Sequence, residues 1–131
     1  MTKRESPAGL TLDTGALLAL ERGDEYMRAL LESAVGNDLA ITVPAGVVAQ
    51  AWRGGPRQAR IARLLGDQKT QVIALDDVTA RAVGLLCGRS GHHDVVDVHV
   101  ALHARDRSYA VVTSDPDDLT RIDPQLRIIT V

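Results

Sequence analysis

Short apolar runs and helix-spaced apolar residues alternate along the whole chain. Leu10 to Leu12, Leu39 to Val43, Gln71 to Leu75, Tyr109 to Val112 and Arg127 to Thr130 have the length and composition of strands. Between them apolar positions recur every three or four residues, the period of a helix with one buried face. Met27, Leu30, Leu31 and Ala34 form such a face in a helix from Glu25 to Ala34, and Val47, Val48, Ala51 and Trp52 form another after Pro44. Further helices are predicted over Ala16 to Leu20, Arg57 to Leu65, Asp76 to Cys87, and Asp94 to Asp106, where Val95, Val98, Ala101 and Leu102 share a face. Strands alternating with helices predict an α/β fold with a mainly parallel central sheet covered on both faces.

Aspartates mark the element boundaries. Asp13 closes the first strand, Asp24, Asp76 and Asp94 precede helices as caps, and Asp115 stands before Pro116, whose missing N–H suits a first helical turn. In an α/β unit the helices run back along the parallel strands, so their N-termini share a rim with the strands' C-terminal ends, where such folds bind ligands. That rim collects Asp13, Asp94, Asp97 and Asp115. Each alone is explained by helix capping, Asp94 with Asp97 and Asp115 with Asp118 having the spacing of a capping box. Together they require something more. Two unit charges about 4 Å apart repel by about 4 kcal/mol at an effective dielectric of about 20, so converging carboxylates call for a cation. Oxygen ligands without clustered Cys or His suit Mg²⁺ or Mn²⁺, which can stabilise the charge that develops on a phosphodiester under attack.

Other chemistry changes this picture little. The length of 131 residues suits one domain, with 10–131 expected as a single unit and 1–9 as a flexible N-terminus. The chain is 45% apolar but has no Phe and one Trp, which predicts an aliphatic core and disfavours base stacking. A net charge of -2 gives no global attraction for nucleic acid, so any phosphate binding must be local. Arg53, Arg57, Arg60 and Arg63 recur on one helical face and could supply it, or could simply be a solvated surface. The lone Cys87 lies in an apolar run and is expected as a buried thiol in a reducing compartment. No run approaches membrane-spanning length and 1–9 lacks a signal-peptide core, so a cytoplasmic location is expected. His99 and His103, four apart, could share Zn²⁺, yet neither a HExxH pattern nor a nearby Cys supports it. The acidic pair and late Lys of a phospho-receiver and the dinucleotide fingerprint are absent.

Four segments in this order carry a family likeness: Leu-Asp-Thr-Gly-Ala-Leu-Leu-Ala-Leu at 12–20, Val-Pro-Ala-Gly-Val-Val-Ala-Gln-Ala-Trp-Arg at 43–53, Asp-Val-Val-Asp-Val-His-Val at 94–100, and Val-Thr-Ser-Asp at 112–115. From Leu10 to Val131 the chain resembles the PIN domain, specifically VapC-type ribonuclease toxins of toxin-antitoxin pairs. The resemblance implies a three-layer α/β/α sandwich, Mg²⁺- or Mn²⁺-dependent cleavage of single-stranded RNA, a homodimer, and an antitoxin partner whose tail occupies the groove. It makes Asp13, Asp97 and Asp115 the metal-holding acids, supported by Thr113, with Asp94 as an auxiliary acid. Where the family usually has its second acid this chain has Gln50, which hydrogen-bonds but brings no charge. Either Asp94 compensates, with Asp94 and Gln50 positioning the attacking water, or the cation is held weakly. Thr14, Thr113, Arg53 and Arg57 are the expected RNA contacts. The alternative is a catalytically silent PIN-fold module that binds RNA or an antitoxin-like partner.

Overall fold

The computed structural model describes residues 6–131, so most of the expected flexible N-terminus lies outside the described residues. Five strands form one parallel sheet: β1 (Gly9–Leu12), β2 (Ala40–Pro44), β3 (Thr70–Ile73), β4 (Ala110–Thr113) and β5 (Ile128–Thr130), in the order β3-β2-β1-β4-β5. The helices are α1 (Thr14–Glu21), α2 (Glu25–Gly36), α3 (Ala45–Ala51), α4 (Ala59–Gly66), α5 (Asp77–Ser90), α6 (Val95–Arg107) and α7 (Pro116–Ile122). One set packs as α1 with α2, α3 and α4, the other as α6 with α5 and α7, and both α1 and α6 lie on the central strands. The result is the expected α/β/α sandwich.

Strand burial follows sheet position. Every residue of β1 and β4 is buried, because helices cover both faces, while the edge strands β3 and β5 are only partly covered. Two threonines inside the sheet are paired: Thr42 Oγ1 donates to the Leu10 carbonyl and lies 3.1 Å from Thr11 Oγ1. Gly9, expected in the flexible terminus, begins β1 instead, where the Tyr109 ring leaves no room for a Cβ.

Other expectations change in detail. In α6 every residue from Val98 to Ala104 is buried, including His99 and His103, whereas Val95 is exposed. A helix clasped by the sheet, α5 and α7 has more than one buried face, so its apolar stripe understates its burial. Trp52 falls just beyond α3 and is exposed, and Cys87 is half-buried. The predicted helix from Arg57 begins as a 3₁₀ turn, Pro56–Gln58, because Gly54 and Gly55 take positive φ before Pro56. Arg53 therefore lies outside the helix that carries Arg60 and Arg63, and the four arginines are not one helical stripe. Among the described residues, no helix is long and apolar enough to cross a membrane.

Candidate active site

The strand order reverses direction at β1: β2 and β3 follow on one side, β4 and β5 on the other. The crevice beyond the carboxyl ends of β1 and β4 is therefore the switch point where an open parallel sheet accepts a ligand. Asp13 leaves β1 at this crevice, and its backbone N–H donates to the Val112 carbonyl of β4 at 3.2 Å. Its Oδ1 accepts from the Ala16 amide at 2.9 Å, making it the cap of α1. Thr113 and Asp115 leave β4 at the same place, with the Asp115 amide donating to Thr113 Oγ1 at 2.9 Å. Pro116 opens α7 as expected, but the Asp115 side chain makes no capping hydrogen bond, which leaves an exposed carboxylate facing solvent.

Two glycines allow this convergence. At Gly15 a Cβ would meet Ser114 Oγ and stand 3.2 Å from Ser114 Cβ, so glycine lets the first turn of α1 approach the β4–α7 loop without displacing Ser114. At Gly46 a Cβ would stand 2.9 Å from Val96 Cγ2, so glycine also brings α3, with Gln50, against the start of α6.

The carboxylates sense one another. Burial pushes the Asp13 carboxyl above its ordinary range, repulsion from Asp97 and Asp115 adds to this, and hydrogen bonds from Thr113 and the Ala16 amide work against it. Burial also raises Asp97, with repulsion from Asp94 and Asp118 in the same direction and the hydrogen bond and charge of His92 opposing. Asp94 caps α6 as expected, its Oδ1 accepting from the Val96 and Asp97 amides. Asp97 turns instead to His92, with Oδ2 3.3 Å from Nε2.

Sequence reasoning left two residues out of this group. The sequence assigns His92 no role and Asp118 only the spacing of a capping box, yet with Asp97 they bring three ligand atoms within 4.8 Å of one another. Among the described residues this is the single group of three or more His, Cys, Asp or Glu so close. The fold caused the omission: Asp118 belongs to α7, one turn after Asp115, and meets α6 only through tertiary packing. The donor chemistry of the rim, mostly carboxylate oxygens in mutual repulsion, fits a divalent cation. His99 and His103 do not compete for it. Both are buried, both Nε2 atoms lack a hydrogen-bond partner among the described residues, and burial lowers both, His103 to about 4.

Gln50, at the exposed end of α3, accepts a hydrogen bond from the Thr14 hydroxyl through Oε1. Beyond it a cleft of about 490 Å³ is lined by Gln50, Arg53 and Arg57. Its wall is held by Gln58, a buried residue missed in the sequence. Gln58 Oε1 accepts from the Arg53 and Gly54 amides, and its Nε2 donates to Glu21 and to the Ala51 carbonyl.

By sequence, no family model and no curated protein matches the chain. By structure it is similar to VapBC2 from Rickettsia felis bound to a DNA fragment from its promoter: TM-score 0.69, 19% identity, covering 93% of this chain and 98% of that one. It is also similar to FitAB bound to an IR36 DNA fragment (TM-score 0.63, 16% identity, 92% of this chain and 94% of that one). FitAcB from Neisseria gonorrhoeae gives 0.59, 16%, 92% and 96% in the same terms. The chain thus has the PIN-like parallel α/β fold of these structures over nearly its whole length, the fold its sequence resemblance implied.

Proposed function

We propose that the chain is a divalent-cation-dependent endoribonuclease acting on single-stranded RNA, the toxin of a toxin-antitoxin pair. The observation that carries this reading is Asp13 at the β1/β4 switch point, its carboxyl raised by burial and further by repulsion from Asp97 and Asp115 on the same rim. Those three acids would hold Mg²⁺ or Mn²⁺. Such an ion, when bound, supplies electrophilic stabilisation of the phosphodiester's developing charge. The protein's own groups do the rest. Thr113 steadies Asp13 from the end of β4, and Thr14 fixes the Gln50 oxygen, leaving the Gln50 amide hydrogens to orient water or a phosphate oxygen. Asp94 spends Oδ1 on the helix cap and retains Oδ2 for the same water. Arg53 and Arg57 border the cleft beyond Gln50 and can track the RNA backbone.

Partners follow the same reading. The VapBC2 and FitAB structures that share the fold support an antitoxin partner. An apolar groove of about 420 Å³ between α2 and α4, floored by Leu20, Leu31, Ile41 and Leu64, is wide enough for a partner's segment. Val78 and Leu85 on α5 are 76% and 64% exposed, which supports a homodimer through that helix.

The test is cleavage of a mixed-sequence single-stranded RNA by highly purified protein with and without Mg²⁺ or Mn²⁺, alongside Asp97→Ala and Asp13→Asn. Cation-dependent cleavage lost in both variants supports the reading, and cleavage unchanged in Asp97→Ala sinks it. Gln50 favours a second reading, a silent PIN-fold module that binds RNA or an antitoxin-like partner. RNA binding without cleavage at millimolar cation would decide for that one.

A further inference from the structure

The proposed cation site has a donor that an all-carboxylate site lacks. His92, Asp97 and Asp118 come from three separate segments, the α5–α6 loop and the first turns of α6 and α7, yet each offers one ligand atom within 4.8 Å of the others. We propose that His92 Nε2, together with Asp97 and Asp118, ligates the divalent cation, and that this nitrogen makes the site select a transition-metal dication such as Mn²⁺ over Mg²⁺. The proposal deepens the nuclease reading and rests on it.

The local structure prepares each donor. α5 ends at Gly91 with φ of 73°, a left-handed turn that reverses the chain, and the His92 amide donates to Ser90 Oγ at 3.2 Å. The imidazole is thereby laid over the start of α6, with its side chain only 18% exposed and Nε2 3.3 Å from Asp97 Oδ2. Asp118 is held only by an exposed pair with Arg121 at 3.3 Å, the kind of contact that costs little to release. Metal–ligand bonds of about 2.0–2.2 Å place neighbouring donors about 3 Å apart, so small side-chain rotations would close the group. The two carboxylates repel across this gap, Asp118 helping to raise Asp97, and a cation between them removes that repulsion.

The choice of ion follows from the nitrogen. Mg²⁺ prefers oxygen ligands and retains water, whereas imidazole suits first-row transition metals. Neutral His92 would bind through unprotonated Nε2 and carry its proton on Nδ1. Exposed His93, its neighbour, is outside the group and serves as an internal control.

The experiment is titration of Mn²⁺ and of Mg²⁺ into metal-free full-length protein by calorimetry, paired with pulsed electron paramagnetic resonance of bound Mn²⁺ to detect a directly bonded ¹⁴N. The expected result is ¹⁴N coupling in the wild type and in His93→Gln, and none in His92→Gln. Mn²⁺ affinity in His92→Gln should fall by about tenfold or more with Mg²⁺ affinity little changed, on the scale of about 1.4 kcal/mol per factor of ten. Asp118→Asn should weaken Mn²⁺ binding while keeping the coupling. Mn²⁺ that binds without ¹⁴N coupling and is lost in Asp13→Asn overturns the proposal but leaves the nuclease reading intact. Coupling that survives in His92→Gln overturns it too. No binding of either ion up to millimolar concentration overturns both.

Discussion

Gly15 of α1 and Ser114 of the β4–α7 loop meet closely: a Cβ on Gly15 would collide with Ser114 Oγ unless that hydroxyl turned away, and would lie 3.3 Å from the Ser114 amide nitrogen. This contact sets the spacing between the Asp13 and Asp115 segments. Gly15→Ala should therefore cost about 1–3 kcal/mol of stability, the range for overpacking a tight contact. It should also weaken divalent binding, because the two acids are pushed apart. Calorimetry with chemical denaturation checks both; an Ala variant with unchanged stability and affinity would show that the contact yields freely.

Gln50 stands against Thr14 with the geometry of an acceptor and without a charge. Gln50→Glu keeps that acceptor and adds a carboxylate at the rim. Divalent affinity should rise by about tenfold or more, equivalent to about 1.4 kcal/mol. If the chain is a nuclease, cleavage should become measurable at lower cation concentration. A Glu variant binding no more tightly would place position 50 outside the cation's reach.

Asp13 has the opposite relation to stability. Its carboxyl is raised above the ordinary range, so the folded protein holds that proton more tightly than the unfolded chain. The stability linked to it is present at low pH and declines as pH rises from about 4 through the raised value. Asp13→Asn keeps an oxygen for the Ala16 amide and removes the charge. The variant should melt a few degrees higher than wild type at pH 7, and the difference should vanish at low pH. Equal destabilisation at both pH values would contradict the assignment.

His103 works in the other direction. Burial holds it at about 4, below the unfolded value of about 6.5, so the unfolded chain takes up a proton first. This contribution to stability is present above the unfolded value and is lost as pH falls through about 6.5 to 4, up to roughly 3 kcal/mol. His103→Leu fills similar space, removes an unpartnered buried nitrogen and should flatten the acid limb of the stability profile. Denaturation midpoints between pH 4 and 7 give the comparison.

Gln58 ties four groups together around the Arg53 loop. Gln58→Ala leaves the Arg53 and Gly54 amides without their acceptor and should cost about 2 kcal/mol or more. If Arg53 contacts RNA phosphate, the loosened loop should weaken RNA binding and flatten its salt dependence by about 0.7 in log–log slope. Arg53→Ala should give the same change in slope with little loss of stability. A normal RNA slope in both variants would remove Arg53 from the interface.

Much of this molecule was legible before folding. The strands, the seven helices, the caps at Asp13, Asp24, Asp76 and Asp94, and the parallel α/β class follow from local periodicity, from Pro116 at a first helical turn, and from hydrogen bonds between residues two or three apart. Such signals lie within one turn or one strand, so the sequence alone carries them. Placing Asp13, Asp94, Asp97 and Asp115 on one rim also followed, because parallel topology fixes the end of each strand. Tertiary structure decided the rest. Only packing of α7 on α6 brings Asp118 to Asp97, only the reversal at Gly91 lays His92 across them, and only the double burial of α6 turns His99 and His103 into neutral core residues. Gln58 likewise reads as an ordinary polar residue until the Gly54-Gly55 turn folds the chain around its amide. Those relationships join residues on separate elements, and the physical information that sets them is the shape in which the elements pack.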